Sequence, residues 1–366
     1  MGFWGSIIRM VHKNPASKNV AILGESYGAS GKGLYITKIF EGVKNKAGID
    51  AKLFLRDTAP YDSKDVLKVK TIKTKIRLLA GLGYYVPLFF KLMFRGRSEI
   101  LHSFDERIGA VVSFLNRPSV VTVHDMCPLD SRFPFNIVFR VLYNRLNHAK
   151  YIIVVSDNTG DMLKKSFPNL AKKIITIPLG VDLERFYPKT KKKSVINIRI
   201  LGNLDPDLSD VFKKIADKFG KSVNITLGGR MRPEETADLK KINGIKLKGF
   251  VGDKELPKYY RDSDIFVYKT DNEGFGLIPL EAMASGCAVV SSNVASLPGV
   301  IGNGGVLVEN SVNGFYGAIK KLILDKKLRS GYQKKARLRA KELSWDKCIE
   351  KHMEIYEKVF EDMTKR

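Results

Sequence analysis

Two carboxylates, Glu273 and Glu281, stand eight residues apart on either side of a Gly274-Phe275-Gly276 turn in the stretch SDIFVYKTDNEGFGLIPLEAMASGCAVVSS. The stretch reads as strand, loop, helix, strand: DIFVY ends at Tyr268, KTDNEGFG is the loop, and LIPLEAMASG is a helix closed by Gly286. Glycines at 274 and 276 let backbone amides approach an anionic ligand, and a helix N-terminus adds its positive dipole end. Glu281 is expected about two turns into the helix. Carboxylates so spaced can reach two different hydroxyl-bearing parts of one elongated ligand. The plain alternative is an ordinary loop and a helix with one solvated glutamate.

Other residues join this pair. VVTVHDM places His124 at the end of an apolar strand with Asp125 next, where a hydrogen-bonded structural histidine is the competing reading. GESYGASGKGLYI follows the first strand and opens a helix, and Gly28, Gly31 and Gly33 make a flexible turn whose amides can face phosphate and acceptor. Its spacing fails the strict dinucleotide fingerprint. Ser156 in VSDNTGDML reads as a helix cap. Cys127, Cys287 and Cys348 lie far apart without metal-ligand or redox spacing, and so sparse a set in a Lys-rich chain fits a reducing cytoplasm.

The elements that must position these groups are short β-branched runs alternating with helical patterns. Strands are expected at Val20–Leu23, Ala51–Leu55, Glu99–Ser103, Val120–His124, Tyr151–Val155 and Lys173–Ile177. After PKTKKKS the pattern restarts, at Asn197–Leu201, Val223–Leu227, Ile245–Gly249, Asp264–Tyr268 and Ala288–Ser292. Near-continuous apolar strands alternating with helices indicate parallel sheets covered on both faces. The chain, 366 residues long, is also past the size at which one core usually keeps growing. The expected division is an N-terminal domain at 1–187, a linker at 188–194, a C-terminal domain at 195–344 and a closing helix at 345–366, with the option that this helix packs back on the first domain. Open α/β sheets bind ligands at the carboxyl ends of their strands, so the cleft between two such sheets is the default site.

A composition of 44% hydrophobic and 28% charged residues is that of a soluble globular protein, and the net charge of +25 asks for a negatively charged partner. From Lys68 to Arg97 there are eight basic residues and no acidic ones, enclosing the apolar run LLAGLGYYVPLFF. That run is too short to span a bilayer comfortably. Two readings stand side by side: contact with an anionic membrane interface, or a core helix with a solvated basic end. No nucleic-acid module is visible, and MGFWGSIIRMVHKNP does not read as a signal peptide.

The segment from Glu273 to Glu281 resembles the signature of family 4 of the retaining GT-B glycosyltransferases, in which two glutamates flank a Gly-Phe-Gly turn and Glu-Ala follows. SLPGVIGNGGVLV, IPLGVDLERFYP and KLKGFVGDKELPKYYRDSDIFVY resemble neighbouring family segments. The resemblance implies an α/β GT-B fold, two facing Rossmann-like doubly wound parallel-sheet domains with an interdomain cleft. It implies that Glu273 contacts the donor sugar and helps stabilise its positive reacting carbon, with His124 at the sugar's outer hydroxyl or the acceptor. It implies that Glu281 binds the ribose, that Gly274, Phe275, Gly276 and Leu277 serve sugar and diphosphate, and that a turn at Gly249, Phe250 and Val251 pairs with the base. A core role for Phe250 stays open beside the last of these. The loop of Gly28, Gly31 and Gly33 matches a glycine-rich loop of the family.

The reaction so implied moves a hexose from a nucleoside diphosphate sugar, UDP- or GDP-linked, to a glycan or lipid-linked hydroxyl with retention and without a metal or other cofactor. The expected setting is the cytoplasm, with peripheral contact at the membrane's cytoplasmic face as an option. The chain departs from the family where an Arg and a Lys usually neutralise the diphosphate: LGNLDPDLSD offers Asn203 and Ser209 instead. Arg230 is the expected substitute, with Arg232 beside it. The departure keeps one rival in play, a nucleotide-sugar-binding protein that lost catalysis, and the net charge keeps another, a basic membrane-surface adaptor.

Overall fold

A computed structural model of the protein describes residues 18–25, 30–46, 48–72, 82–96, 99–126, 135–188, 195–202, 206–229 and 239–365. Gly28, Arg230, Arg232, Asn203, Cys127, the N-terminal MGFWGSIIRMVHKNP and all of the expected linker beyond Pro188 lie outside the described residues.

The apolar runs form thirteen described strands in two sheets. The first holds β1 (Lys18–Leu23), β2 (Ile49–Arg56), β3 (Val66–Val69), β4 (Glu99–Ser103), β5 (Ser119–Val123), β6 (Tyr151–Val154) and β7 (Ile174–Thr176), in the order β3-β2-β1-β4-β5-β6-β7. Strand β1 runs parallel to both β2 and β4, with Val20 opposite Ala51 on one side and Ile100 on the other. The second sheet holds β8 (Ile196–Leu201), β9 (Val223–Gly228), β10 (Ile245–Gly249), β11 (Ile265–Tyr268), β12 (Ala288–Ser292) and β13 (Val306–Val308), in the order β10-β9-β8-β11-β12-β13. All five of its pairings are parallel. Each sheet reverses direction of winding beside its first strand, the doubly wound arrangement of a dinucleotide-binding fold.

Helices α1 (Gly31–Lys44), α2 (Leu82–Met93), α3 (Glu106–Val112), α4 (Phe135–Arg145) and α5 (Asp157–Ser166) connect the first series. Helices α6 (Pro206–Phe219), α7 (Leu256–Arg261), α8 (Leu277–Ala284), α9 (Leu297–Ile301), α10 (Val312–Leu324) and α11 (Lys326–Glu342) belong with the second, and α12 (Trp345–Thr364) follows, its residues from Lys351 onward packing with the first series. Side-chain caps start several of them. Ser30 Oγ accepts from Gly33 N at 3.0 Å, and Ser156 Oγ from Thr159 N at 3.2 Å, as its position in the sequence suggested.

Contacts divide the chain into a unit within Met1–Thr122, Ile137–Ile152 and Lys351–Arg366 and a unit of Val123–Asn136 with Ile153–Glu350. In the first, Tyr84, Tyr85, Leu88 and Leu92 of α2 and Ile108 and Val112 of α3 bury against Ala21, Leu23, Phe54 and Leu101. Residues 351–364 close the other side: His352 Nε2 and the Tyr35 hydroxyl share a hydrogen bond at 2.8 Å, and His102 Nδ1 meets the Tyr356 hydroxyl at 2.6 Å. His102 Nε2 meets Thr122 Oγ1 at 2.9 Å, so these buried ring nitrogens are matched with hydroxyls. In the second unit, Val211, Phe212 and Ile215 of α6 and Phe315, Ile319 and Leu322 of α10 pack on Ile198, Ile200, Ile225, Leu227, Ile265 and Val267. Each such side chain contributes about 1.5–3 kcal/mol through burial.

Candidate functional site

Strand β11 delivers the glycine turn to the carboxyl edge of the second sheet. The Tyr268 hydroxyl, at the strand's last residue, donates to Glu273 Oε2, and burial together with the Glu273 carboxylate raises the Tyr268 pKa, keeping the phenol a donor. Ser296, buried at the start of α9, donates its hydroxyl to the carbonyls of Glu273 at 2.9 Å and Phe275 at 2.8 Å. Asn310 Nδ2 reaches Thr270 O at 2.8 Å, and Thr270 N reaches Ser292 Oγ at 3.0 Å. The loop is therefore held from both ends before any ligand arrives, as a site that must not reorganise requires.

Gly276 occupies the left-handed region at φ 111°, a conformation strained for any side chain, and stands immediately before α8. Because the helix starts at Leu277, Glu281 is its fifth residue and lies one turn in; the expected two turns is corrected. The helix ends at Ala284 and is closed by Gly286 as expected, at φ 77° and with its N–H donating to the Met283 carbonyl at 3.0 Å.

Glu281 faces a different set of groups from Glu273. Its Oε2 accepts from the Tyr260 hydroxyl at 2.9 Å, and burial lifts its pKa to about 7, against the opposing pull of that hydrogen bond and of Arg185. Arg185 donates to the Asp253 backbone carbonyl at 2.6 Å and pairs with its carboxylate at 2.8 Å, two residues beyond the Gly249-Phe250-Val251 turn. Val251 is buried against Gly228, whereas Phe250 is 86% exposed, which overturns its core reading. Gly249 sits at φ 71° with open space where a Cβ would be.

Between these two ends run the loops after β8 and β9. They pass so closely that a Cβ on Gly229 would lie 2.0 Å from Gly202 O, and Tyr268 lies 3.9 Å from the Cβ position of Gly202. Here stands a cation that sequence reasoning missed. Lys269, its side chain only 7% exposed, pairs with Asp207 in the first turn of α6 at 3.3 Å. It was legible only as the residue after a strand, since its partner lies 62 positions earlier in the chain. Ser209, expected near the missing cations, is buried in α6.

His124 directly follows β5, is nearly buried and belongs to the same unit as the turn. A Cβ on Gly274 would meet the His124 carbonyl oxygen at 2.7 Å, with Asp125 Cβ at 3.6 Å. The structure thus brings together His124, Gly274, Phe275, Gly276, Leu277 and Glu273, with Glu281 and Val251 in their own cluster. Gly31 and Gly33 open α1 in the first unit, while Gly28 and Arg230 lie outside the described residues. Tyr268, Tyr260 and Ser296 complete the site; Tyr268 stood within the motif and the other two in neighbouring family segments, but nothing in their spacing named their partners.

Comparison with known proteins extends these observations. A sequence model of the glycosyl transferases group 1 matches residues 208–339, and one of Glycosyltransferase Family 4 matches residues 44–185. The O-antigen chain mannosyltransferase B of Escherichia coli is 26% identical over 266 residues, 65% of this chain and 70% of that protein. The O-antigen chain mannosyltransferase RfbU of Salmonella typhimurium is 24% identical over 309 residues, 79% of this chain and 85% of that protein. Among solved structures, sucrose-phosphate synthase from Thermosynechococcus elongatus matches with TM-score 0.76 and 19% identity, over 94% of this chain and 100% of that one. Anabaena HepE in complex with UDP and glucose matches with TM-score 0.74 and 17% identity, over 93% and 100%. These structural likenesses are of fold.

Proposed function

The chain belongs to the glycosyltransferases of group 1 and family 4 type, with the GT-B fold and nucleotide-sugar use, and from that membership we propose that it moves a hexose from a UDP- or GDP-linked donor to a glycan or lipid-linked hydroxyl with retention of configuration. The observation that carries this reading is the held turn: Glu273 fixed by Tyr268, its backbone pinned by Ser296, and the amide-bearing start of α8 directly after it.

Glu273 faces the sugar and supports positive charge as it develops at the anomeric carbon, and His124 works beside it at the sugar's outer hydroxyl or the acceptor. Phe275, Gly276 and Leu277 offer amides to the diphosphate, whose leaving oxygen takes the acceptor's proton on the same face. Lys269 adds a cation at this edge, exchanging Asp207 for phosphate. Glu281 receives the ribose hydroxyls and the turn at Val251 the base. Residues 195–344 form the donor domain and 1–187 the acceptor side, and the enzyme works in the cytoplasm, at the membrane face where a lipid-linked acceptor lies.

The test is a panel of nucleotide sugars screened by thermal shift, followed by transfer assays on the wild type and Glu273→Ala. Stabilisation by one donor, turnover that persists with a chelator present, and loss of turnover in the variant are expected. Donor binding with equal, background-level turnover in both proteins identifies a binding protein that lost catalysis, and no shift with any donor sinks the assignment.

A further inference from the structure

Helix α2 is apolar on two opposite faces. Tyr84, Tyr85, Leu88 and Leu92 are buried in the core of the first unit. Leu82, Val86, Phe90 and Met93 point outward and are 43–51% exposed. At helical spacing those four cover an arc of only about 80°, a continuous stripe opposite the buried face. The patch continues past both ends of the helix. Ile72, 61% exposed, is tied to the helix start by Ile72 N donating to Gly83 O at 2.8 Å, and Phe94, directly after the helix, is 83% exposed. Isolated exposed apolar residues need no explanation, but a connected stripe with two phenylalanines is costly in water unless something covers it.

The charge around the stripe indicates what covers it. Lys70 and Lys91 are exposed in the same stretch, Lys91 on the flank of α2 with its ammonium donating to the Lys68 carbonyl at 2.7 Å, and from Lys68 to Arg97 the sequence holds no acidic residue. A second copy of this strongly basic chain would bring like charge against this face, and an ordinary protein partner would demand no such one-signed rim. Twelve residues of helix make about 18 Å, too short to cross a bilayer, and among the described residues no helix is long and apolar enough to do so. A helix with outward aromatic and aliphatic side chains and a lysine rim suits the plane of a lipid interface.

We propose that the outward face of α2, with Ile72 and Phe94, docks on an anionic lipid bilayer by laying its apolar side chains among the acyl chains while Lys70 and Lys91 meet the headgroups. The inference rests on the membrane-facing part of the reading above and is independent of its transfer chemistry. It gives the first unit a fixed side toward the membrane, the side on which a lipid-linked hydroxyl is presented.

The test is flotation of the full chain with neutral vesicles and with vesicles containing phosphatidylglycerol, without any sugar nucleotide. The wild type is expected to float with the anionic vesicles only, and increasingly less as salt is raised. Phe90→Ser with Phe94→Ser should weaken that binding by about tenfold or more, since two large apolar groups no longer enter the lipid. Leu338→Ser, at an exposed apolar position of α11, should not change it. Lys70→Glu with Lys91→Glu should weaken it as well, with an unchanged melting temperature in every variant. Wild-type indifference to anionic vesicles overturns the proposal, as does undiminished binding by the double serine variant. A concentration-dependent dimer that this variant abolishes would assign the face to a second copy instead. Donor binding measured on the same variants stays at the wild-type level if docking and chemistry are separate, so failure of one is distinguishable from failure of the other.

Discussion

The carbonyl oxygen of His124 lies where Gly274 has no side chain: a Cβ built there would come within 2.7 Å of it. The loop after β5 therefore comes close to the main chain of the glycine turn after β11. Gly274→Ala is expected to force them apart, at a cost of about 1–3 kcal/mol, because the obstructing atom is main chain and cannot rotate away. Transfer should fall by one to two orders of magnitude, about the same free energy expressed as rate, while circular dichroism stays native. A variant with wild-type turnover would show that this contact does not set the site.

In the proposed reaction Tyr268 acts through Glu273, as a positioning residue. In Tyr268→Phe the carboxylate loses one donor worth about 1–3 kcal/mol, since the acceptor is charged. We expect kcat to drop about tenfold or more with a smaller change in donor KM, because Glu273 loses the hydroxyl that orients it. Equal losses in binding and turnover would point to general damage of the loop.

Burial raises the pKa of Glu281 from 4.5 to about 7, and burial with the neighbouring Asp105 carboxylate raises that of Glu106 in the same direction. Between these values the folded chain retains protons that the unfolded chain has shed, so stability falls as pH rises through that window. Glu281 alone accounts for about 3 kcal/mol at most. Urea midpoints from pH 4.5 to 8 should decline less steeply in Glu281→Gln than in the wild type. A parallel decline would mean the carboxyl is already solvated.

Lys269→Met removes the buried cation while keeping its length. Asp207 is half-exposed and tolerates the loss by hydration, so folding should survive. Affinity for a nucleoside diphosphate, measured by calorimetry, is expected to fall about tenfold, as for one charge-assisted hydrogen bond to phosphate. Affinity for the corresponding nucleoside should not change. Unaltered diphosphate binding would leave Lys269 a structural partner of Asp207.

Much of this architecture could be read from the sequence because fully buried parallel strands announce themselves as unbroken apolar runs. Glu99–Ser103, Ile245–Gly249 and Ala288–Ser292 match their expected bounds, and the other expected strands are off by one residue at one or both ends, except Lys18–Leu23 and Ile49–Arg56, which begin two residues earlier than expected. The two strands that escaped, Val66–Val69 and Val306–Val308, lie at sheet edges, where half-exposed residues and short length erase the signal. The carboxylates and the glycines were visible because one backbone turn fixes their relation. Their supports were not: Ser296 reaches back 23 positions to Glu273, and Tyr260 reaches 21 forward to Glu281, distances that only the sheet order closes. The depth of Glu281 was misjudged because its eight-residue offset was counted from Glu273, and four residues of that offset precede the helix start at Leu277.

The pairing of Tyr35 with His352 and of His102 with Tyr356 orders events during synthesis. On the ribosome, β1, α1 and β4 emerge long before residues 351–364, so their inward rings face water or a chaperone until the rest has been made. The second unit, drawn mainly from one continuous stretch, ends at Glu350, so its partners are complete only just before these residues are made. Completion of the first unit therefore waits on the arrival of two aromatic side chains from a single late helix.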